Sequence, residues 1–199
     1  MNRANKVLLA AVAAALACMP LQAQMRGTGA APAGSPSSTP GQNPALMNNG
    51  MDSGPGQDAY FLKKAAAGGN SEVALGRLAL DKSSNDGVKK FAQKMVDDHT
   101  AMGQDLQTVA KGLNVDLPTG PSSSDKKEFT KLQSLSGPAF DKEYVSYMVK
   151  DHKKDLSDFK SENASTQNGQ VKDLTSKGAS IISQHLQMAE TLEGQVGKG

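Results

Sequence analysis

After residue 57 the apolar positions recur at steps of three and four, the period of a helix that buries one stripe, and no stretch alternates as a strand does. The cleanest stripe is Val88, Phe91, Met95, His99, Met102, Leu106, Val109 and Leu113. It predicts a helix capped by Ser84 or Asn85 and closed by Gly112 in the left-handed conformation. Before it, Asp58 caps a helix carrying Phe61, Leu62, Ala65, Ala66, Val73, Leu75 and Leu78 and ending near Lys82. Gly68, Gly69 and Gly76 interrupt that helix, each at a cost of about 1 kcal/mol against alanine. Either the helix breaks near Asn70 or the glycines admit a neighbour, and the second is expected: Ala65, Gly69, Gly76 and Ala79 make a thin face on which another helix can approach closely. After the crossing loop at residues 117–124, Ser124 or Asp125 opens a short helix with Phe129, Leu132 and Leu135, stopped by Gly137-Pro138. A third long helix follows, from about Ala139 to about Asn163, with Tyr144, Val145, Met148, His152, Leu156 and Phe159 on one side. Residues 165–169 turn the chain into a fourth, from about Gln170 to Gln195, whose stripe is Val171, Leu174, Ile181, His185, Met188 and Leu192. Four long helices with short connections, and a short extra helix before the third, predict an all-α antiparallel four-helix bundle over residues 57–197.

The stripes are not wholly apolar. All three histidines of the chain, His99, His152 and His185, fall on them, and Glu72 lies on the thin face of the first helix. At about 1.5 Å of rise per residue each of the four sits near the middle of its helix, the one height that alternating chain direction leaves unchanged. Met95-Val96-Asp97-Asp98-His99 and Met148-Val149-Lys150-Asp151-His152 read as two copies of one motif. Three imidazoles and a carboxylate at one level suit a single transition-metal ion, whether zinc, iron, manganese, nickel or copper. The same residues also read as a buried polar layer whose members satisfy one another by hydrogen bonds. Asp98 and Asp151, about 100° around the helix from their histidines, are expected to be solvated or to support the ring rather than to ligate. Met95, Met102, Met148 and Met188 are expected to fill the core, with thioether ligation the alternative.

The first 56 residues have a different character. Arg3 and Lys6 precede an apolar run from Val7 to Met19, then Pro20 and the small Ala23, the pattern of a signal peptide over residues 1–23. The run is shorter than the roughly 20 residues that span a bilayer, so no membrane span is expected. Ala15-Leu16-Ala17-Cys18 loosely fits a lipoprotein box, which makes Cys18 either a lipid anchor or a small residue of a removed segment. Residues 24–56, rich in Pro, Gly, Ser and Asn, cannot bury enough apolar area to offset their ordering entropy and read as a disordered linker. The expected location is therefore periplasmic or secreted.

Charge and motifs then exclude several function classes. Without Arg3 and Lys6 the chain carries 20 basic and 20 acidic residues, a neutral balance that argues against nucleic acid as a partner. Cys18 is the single cysteine, so the folded part has no disulfide and no thiolate chemistry. A two-metal carboxylate site needs a glutamate three residues before its histidines, and Val96, Val149 and Ile182 occupy those places. No nucleophile with a base, phosphate-cradling glycine loop or HExxH helix is present.

Phe61 with Ala65-Ala66, Glu72-Val73, Leu78-Ala79, Phe91-Ala92, Met95-Val96 with Asp98-His99, Leu117-Pro118, Phe140-Asp141 with Tyr144, Met148-Val149 with His152, and His185-Leu186 together form a pattern. It resembles the secreted bacterial family called domain of unknown function 4142, whose members resemble ferritin-like bundles. Ser180 stands where that family often has a proline, so the approach to the last histidine is expected to differ. The resemblance implies a ferritin-like fold and no particular activity. The function expected is a periplasmic or secreted binding or stress-associated module, with a single metal ion at Glu72, His99, His152 and His185. The alternative is a structural or interaction protein of the cell envelope without metal, its protein partner unspecified. A metal-dependent oxidoreductase is the least supported reading, and no catalytic residue is identified.

Overall fold

Residues 54–197 are described here by a computed structural model. The expected signal peptide, Cys18 and nearly all of the expected linker lie outside the described residues. Every regular element described is a helix: α1 (Pro55–Lys82), α2 (Asp86–Gly112), α3 (Ser123–Gln133), α4 (Gly137–Ser165) and α5 (Gly169–Val196). The short expected helix is α3, and the third and fourth long ones are α4 and α5. No helix among the described residues is long and apolar enough to cross a membrane.

Local chemistry sets the ends, in places differently from expectation. α1 starts at Pro55, whose fixed φ suits a first turn, so Asp58 lies in that turn, buried, and is not the cap. Asn85 does cap α2, accepting from the amides of Gly87 and Val88. Gly112 remains helical, and the left-handed residue beyond the end is Asn114 at φ 55°, asparagine being the next most tolerant residue there after glycine. Ser122, two residues before the expected opening, caps α3 through Asp125 N–H. Gly137 at φ 55° turns the chain out of α3 and Pro138 stands in the first turn of α4. Ser180 lies inside the unbroken α5.

α1 packs along α2 and α4 along α5; α2 also meets α5, α1 meets α4, and α3 rests on α1 and α4. The close approach expected of the thin face occurs at Gly76, where an added Cβ would lie 2.9 Å from Val96 Cγ2 and 3.1 Å from the Ala92 carbonyl oxygen. Gly69 has nothing within 4 Å of that position. The α5 stripe runs through Thr175, Gly178, Ile182, His185 and Ala189. Ile181 and Met188, chosen by hydrophobicity, fall one residue off it and are only half-buried.

The core has two parts. One holds Leu75, Phe91, Met95, Tyr144, Met148 and Ala189; the other holds Phe61, Leu62, Met102, Leu106, Phe159 and Ile182. On each long helix a polar residue separates them: Glu72, His99, His152 and His185. The methionines serve as core filling, Met95 and Met148 in the first part and Met102 in the second.

Candidate metal centre

Each of the four polar residues is carried inward by its helical register. Glu72 is 2% exposed, His99 2%, and His152 and His185 not at all. The ring centroids stand 5.7 Å apart for His99–His152, 5.2 Å for His99–His185 and 5.6 Å for His152–His185. One ring nitrogen from each histidine lies within 4.8 Å of the other two. Glu72 Oε2 is 2.9 Å from His99 Nδ1, and Oε1 is 3.4 Å from His152 Nε2. Neither approach has hydrogen-bond geometry, so Glu72 Oε1, both nitrogens of His99 and Nε2 of His152 stay buried without a partner.

The other ring nitrogens fix the tautomers. His152 Nδ1 is 3.0 Å from the Met148 carbonyl oxygen. A carbonyl only accepts, so Nδ1–H donates and Nε2 keeps its lone pair. His185 Nε2 donates to Asp98 Oδ2 at 2.7 Å, which leaves the unpartnered Nδ1 bare. Of the two expectations for Asp98, support of a ring is the one realised, but the ring is His185 on α5. The 100° offset that turns Asp98 away from His99 turns it toward α5, and Lys94 steadies it from one turn earlier at 2.8 Å. Asp151 shares with Glu72 and His152 a second set of ligand atoms within 4.8 Å of one another.

The charges respond to this crowding. Burial by itself raises the Glu72 carboxyl, but the adjacent imidazoles outweigh it and hold the group at about 2. Burial lowers His99, and the Glu72 charge more than reverses that, so His99 is raised. His152 is pushed down to about 4, first by burial and then by repulsion from the other two rings. His185 moves the same way, with Asp98 opposing. Asp151 is pushed up to about 8 by burial, then by Glu72, Asp155 and Asp125; Asp155 is pushed up to about 7 by burial and then by Glu72.

Asp155 is the neighbour the sequence analysis missed. The available signal is its place three residues after His152 and four after Asp151, on the same face of α4. His99 also lines a surface pocket of about 550 Å³ with Gly69, Val73, Thr100 and Gly103.

A family model described as domain of unknown function (DUF4142) matches residues 42–192, beginning inside the expected linker. No curated protein matches. Among solved structures, the crystal structure of a DUF305 fragment from Deinococcus radiodurans is similar, with a TM-score of 0.60 at 13% identity. The match covers 72% of this chain and 97% of that one. At that identity the likeness is one of fold.

Proposed function

The chain belongs to the DUF4142 family, and from the centre it carries we propose that it is a metal-binding helical bundle that takes one transition-metal ion. His99, His152 and His185 hold the ion and Glu72 completes the set. One observation carries this reading: three buried imidazoles each bring a ring nitrogen within 4.8 Å of the other two, and each ring keeps a buried nitrogen with no partner, as does the neighbouring Glu72 carboxylate at Oε1. A buried polar atom left unpaired costs about 1–3 kcal/mol, and an ion satisfies several at once. Two of the rings are already set as ligands usually are, with the far N–H donated to a carbonyl or a carboxylate. The 3.4 Å between Glu72 Oε1 and His152 Nε2 suits two donors of one tetrahedral ion, which stand about 3.3 Å apart at zinc bond lengths.

The donor set suits zinc, iron, manganese or copper. Four protein donors leave no open position of the kind a catalytic metal needs, which favours binding over turnover. The same reading takes the four long helices as an antiparallel, ferritin-like bundle, supported by the three-residue connections after α1 and α4. Residues 1–23 as a signal peptide and 24–56 as a linker give a periplasmic or secreted setting, with Cys18 as lipid anchor the alternative. An envelope or stress-associated role fits that setting.

Full chain purified without an affinity tag should carry about one metal ion, gain thermal stability on adding Zn²⁺ or Cu²⁺, and lose both properties in His152→Ala. No stoichiometric metal and no thermal shift would overturn the reading. The second reading, a polar layer that only fixes helix register, is favoured by the His185–Asp98 bond, which needs no ion; it expects that negative result.

A further inference from the structure

The polar interior continues past the imidazoles toward α3. On α4, Tyr147, Asp151 and Asp155 follow one another at four-residue steps. With Asp125 of α3 they line a cavity of about 510 Å³ that reaches the surface. Asp125 is satisfied there, accepting from Ser71 Oγ at 2.7 Å, Ser122 Oγ at 2.6 Å and Tyr147 OH at 3.0 Å. Three lysines share the lining: Lys64 and Lys154 both bond Asp158, at 2.7 Å and 2.9 Å, Lys154 also stands 3.6 Å from Asp155, and Lys150 is the third. None of them forms an ion pair with Asp151. Behind Asp151 stand two unpartnered groups from the layer itself, Glu72 Oε1 and His152 Nε2, each on a residue at most 2% exposed. Asp151, Glu72 and His152 each offer a ligand atom within 4.8 Å of the others.

We propose that Asp151, Glu72 and His152 form an outer cation position, distinct from the three-imidazole centre, which takes a hard, partly hydrated divalent ion of the manganese class from this cavity. Two carboxylates, one imidazole and room for water are the ligands such ions prefer, whereas softer ions favour the nitrogen-rich centre. His152 and Glu72 belong to both sets, and His152 has one free nitrogen, Nε2, so the two positions are alternatives: an ion in one deprives the other of its imidazole. The proposal rests on the preceding reading only through that sharing, and the outer position is tested without the inner one.

The experiment is a titration of the metal-free full chain with Mn²⁺, followed by electron paramagnetic resonance. The result expected is one saturable Mn²⁺ per chain, with spin-echo modulation showing a single coordinated nitrogen. Asp151→Asn should weaken Mn²⁺ on the order of tenfold, while the double variant His99→Ala/His185→Ala keeps it, and Zn²⁺ should displace it from the wild type. No saturable Mn²⁺, three coordinated nitrogens, or full-strength binding in a folded Asp151→Asn chain overturns the proposal. The nitrogen count is read on the wild type and does not depend on any variant folding. Mn²⁺ held by one nitrogen without Zn²⁺ binding would sink the centre alone, and Zn²⁺ binding without Mn²⁺ would sink the outer position alone.

Discussion

Gly178 shows how little room the interior leaves at a single residue. A Cβ built there would overlap the edge of the Phe159 ring, 2.7 Å from Cδ1 and closer still to Cε1, with Met102 Sδ at 3.3 Å. Phe159 is itself locked edge-on against Phe61 at 4.9 Å, so it cannot swing aside freely. Gly178→Ala would otherwise gain helix propensity of about 1 kcal/mol. Here the overlap is expected to win, with a net loss of about 1–3 kcal/mol, read as a lower urea midpoint at unchanged slope. The same exactness of fit gives Asp98 and Met148 their influence: one carboxylate and one carbonyl decide which nitrogen of His185 and of His152 faces inward.

At the scale of elements, one local device is used twice. In the connection after α1 the Asn85 amide donates to Ser83 Oγ, and its side chain accepts from Gly87 and Val88. After α4 the Asn168 amide donates to Thr166 Oγ1, and its side chain accepts from Gln170 and Val171. Each device stops one helix and starts the next within three residues, which keeps α1 beside α2 and α4 beside α5. Asn168→Ala removes the acceptor for two amides and is expected to cost about 1 kcal/mol in urea unfolding. A midpoint equal to wild type would show that α5 is held in place by packing alone. The paired methionine-to-histidine motifs belong to this scale as well: their seam spacing was readable, while the His185 that Asp98 meets on another helix was not.

For the whole molecule, the layer couples all four long helices to pH. Glu72, held at about 2 against an ordinary 4.5, contributes stability present above 4.5 and lost as pH falls through about 2. His152 at about 4, against an ordinary 6.5, acts in the same direction higher up: between 6.5 and 4 the unfolded chain takes a proton that the folded one refuses. His185 shifts the same way, whereas His99, raised, stabilises the acid side and loses that contribution as pH rises through its folded value. Asp151 and Asp155, raised, also favour the acid side. Below pH 4 the carboxylate at Glu72 dominates, and the metal-free protein is expected to lose stability steeply from pH 4 to pH 2. Glu72→Gln should flatten that limb in urea titrations across the range. An equally steep limb in the variant would assign it to other carboxylates.

The helices, their approximate ends and the inward placement of Glu72, His99, His152 and His185 were determined by the sequence itself, because a 3.6-residue period ties face to residue number within one helix. No such rule links residues on different helices. Packing alone decided that Asp98 serves His185, that Asp155 joins Asp151 beside Glu72, and that Ile182 and Ala189 take the seam from Ile181 and Met188. Each of these depends on the rotation and height of one rod against another, which small residues such as Gly76 and Gly178 set by how closely they let their neighbours come.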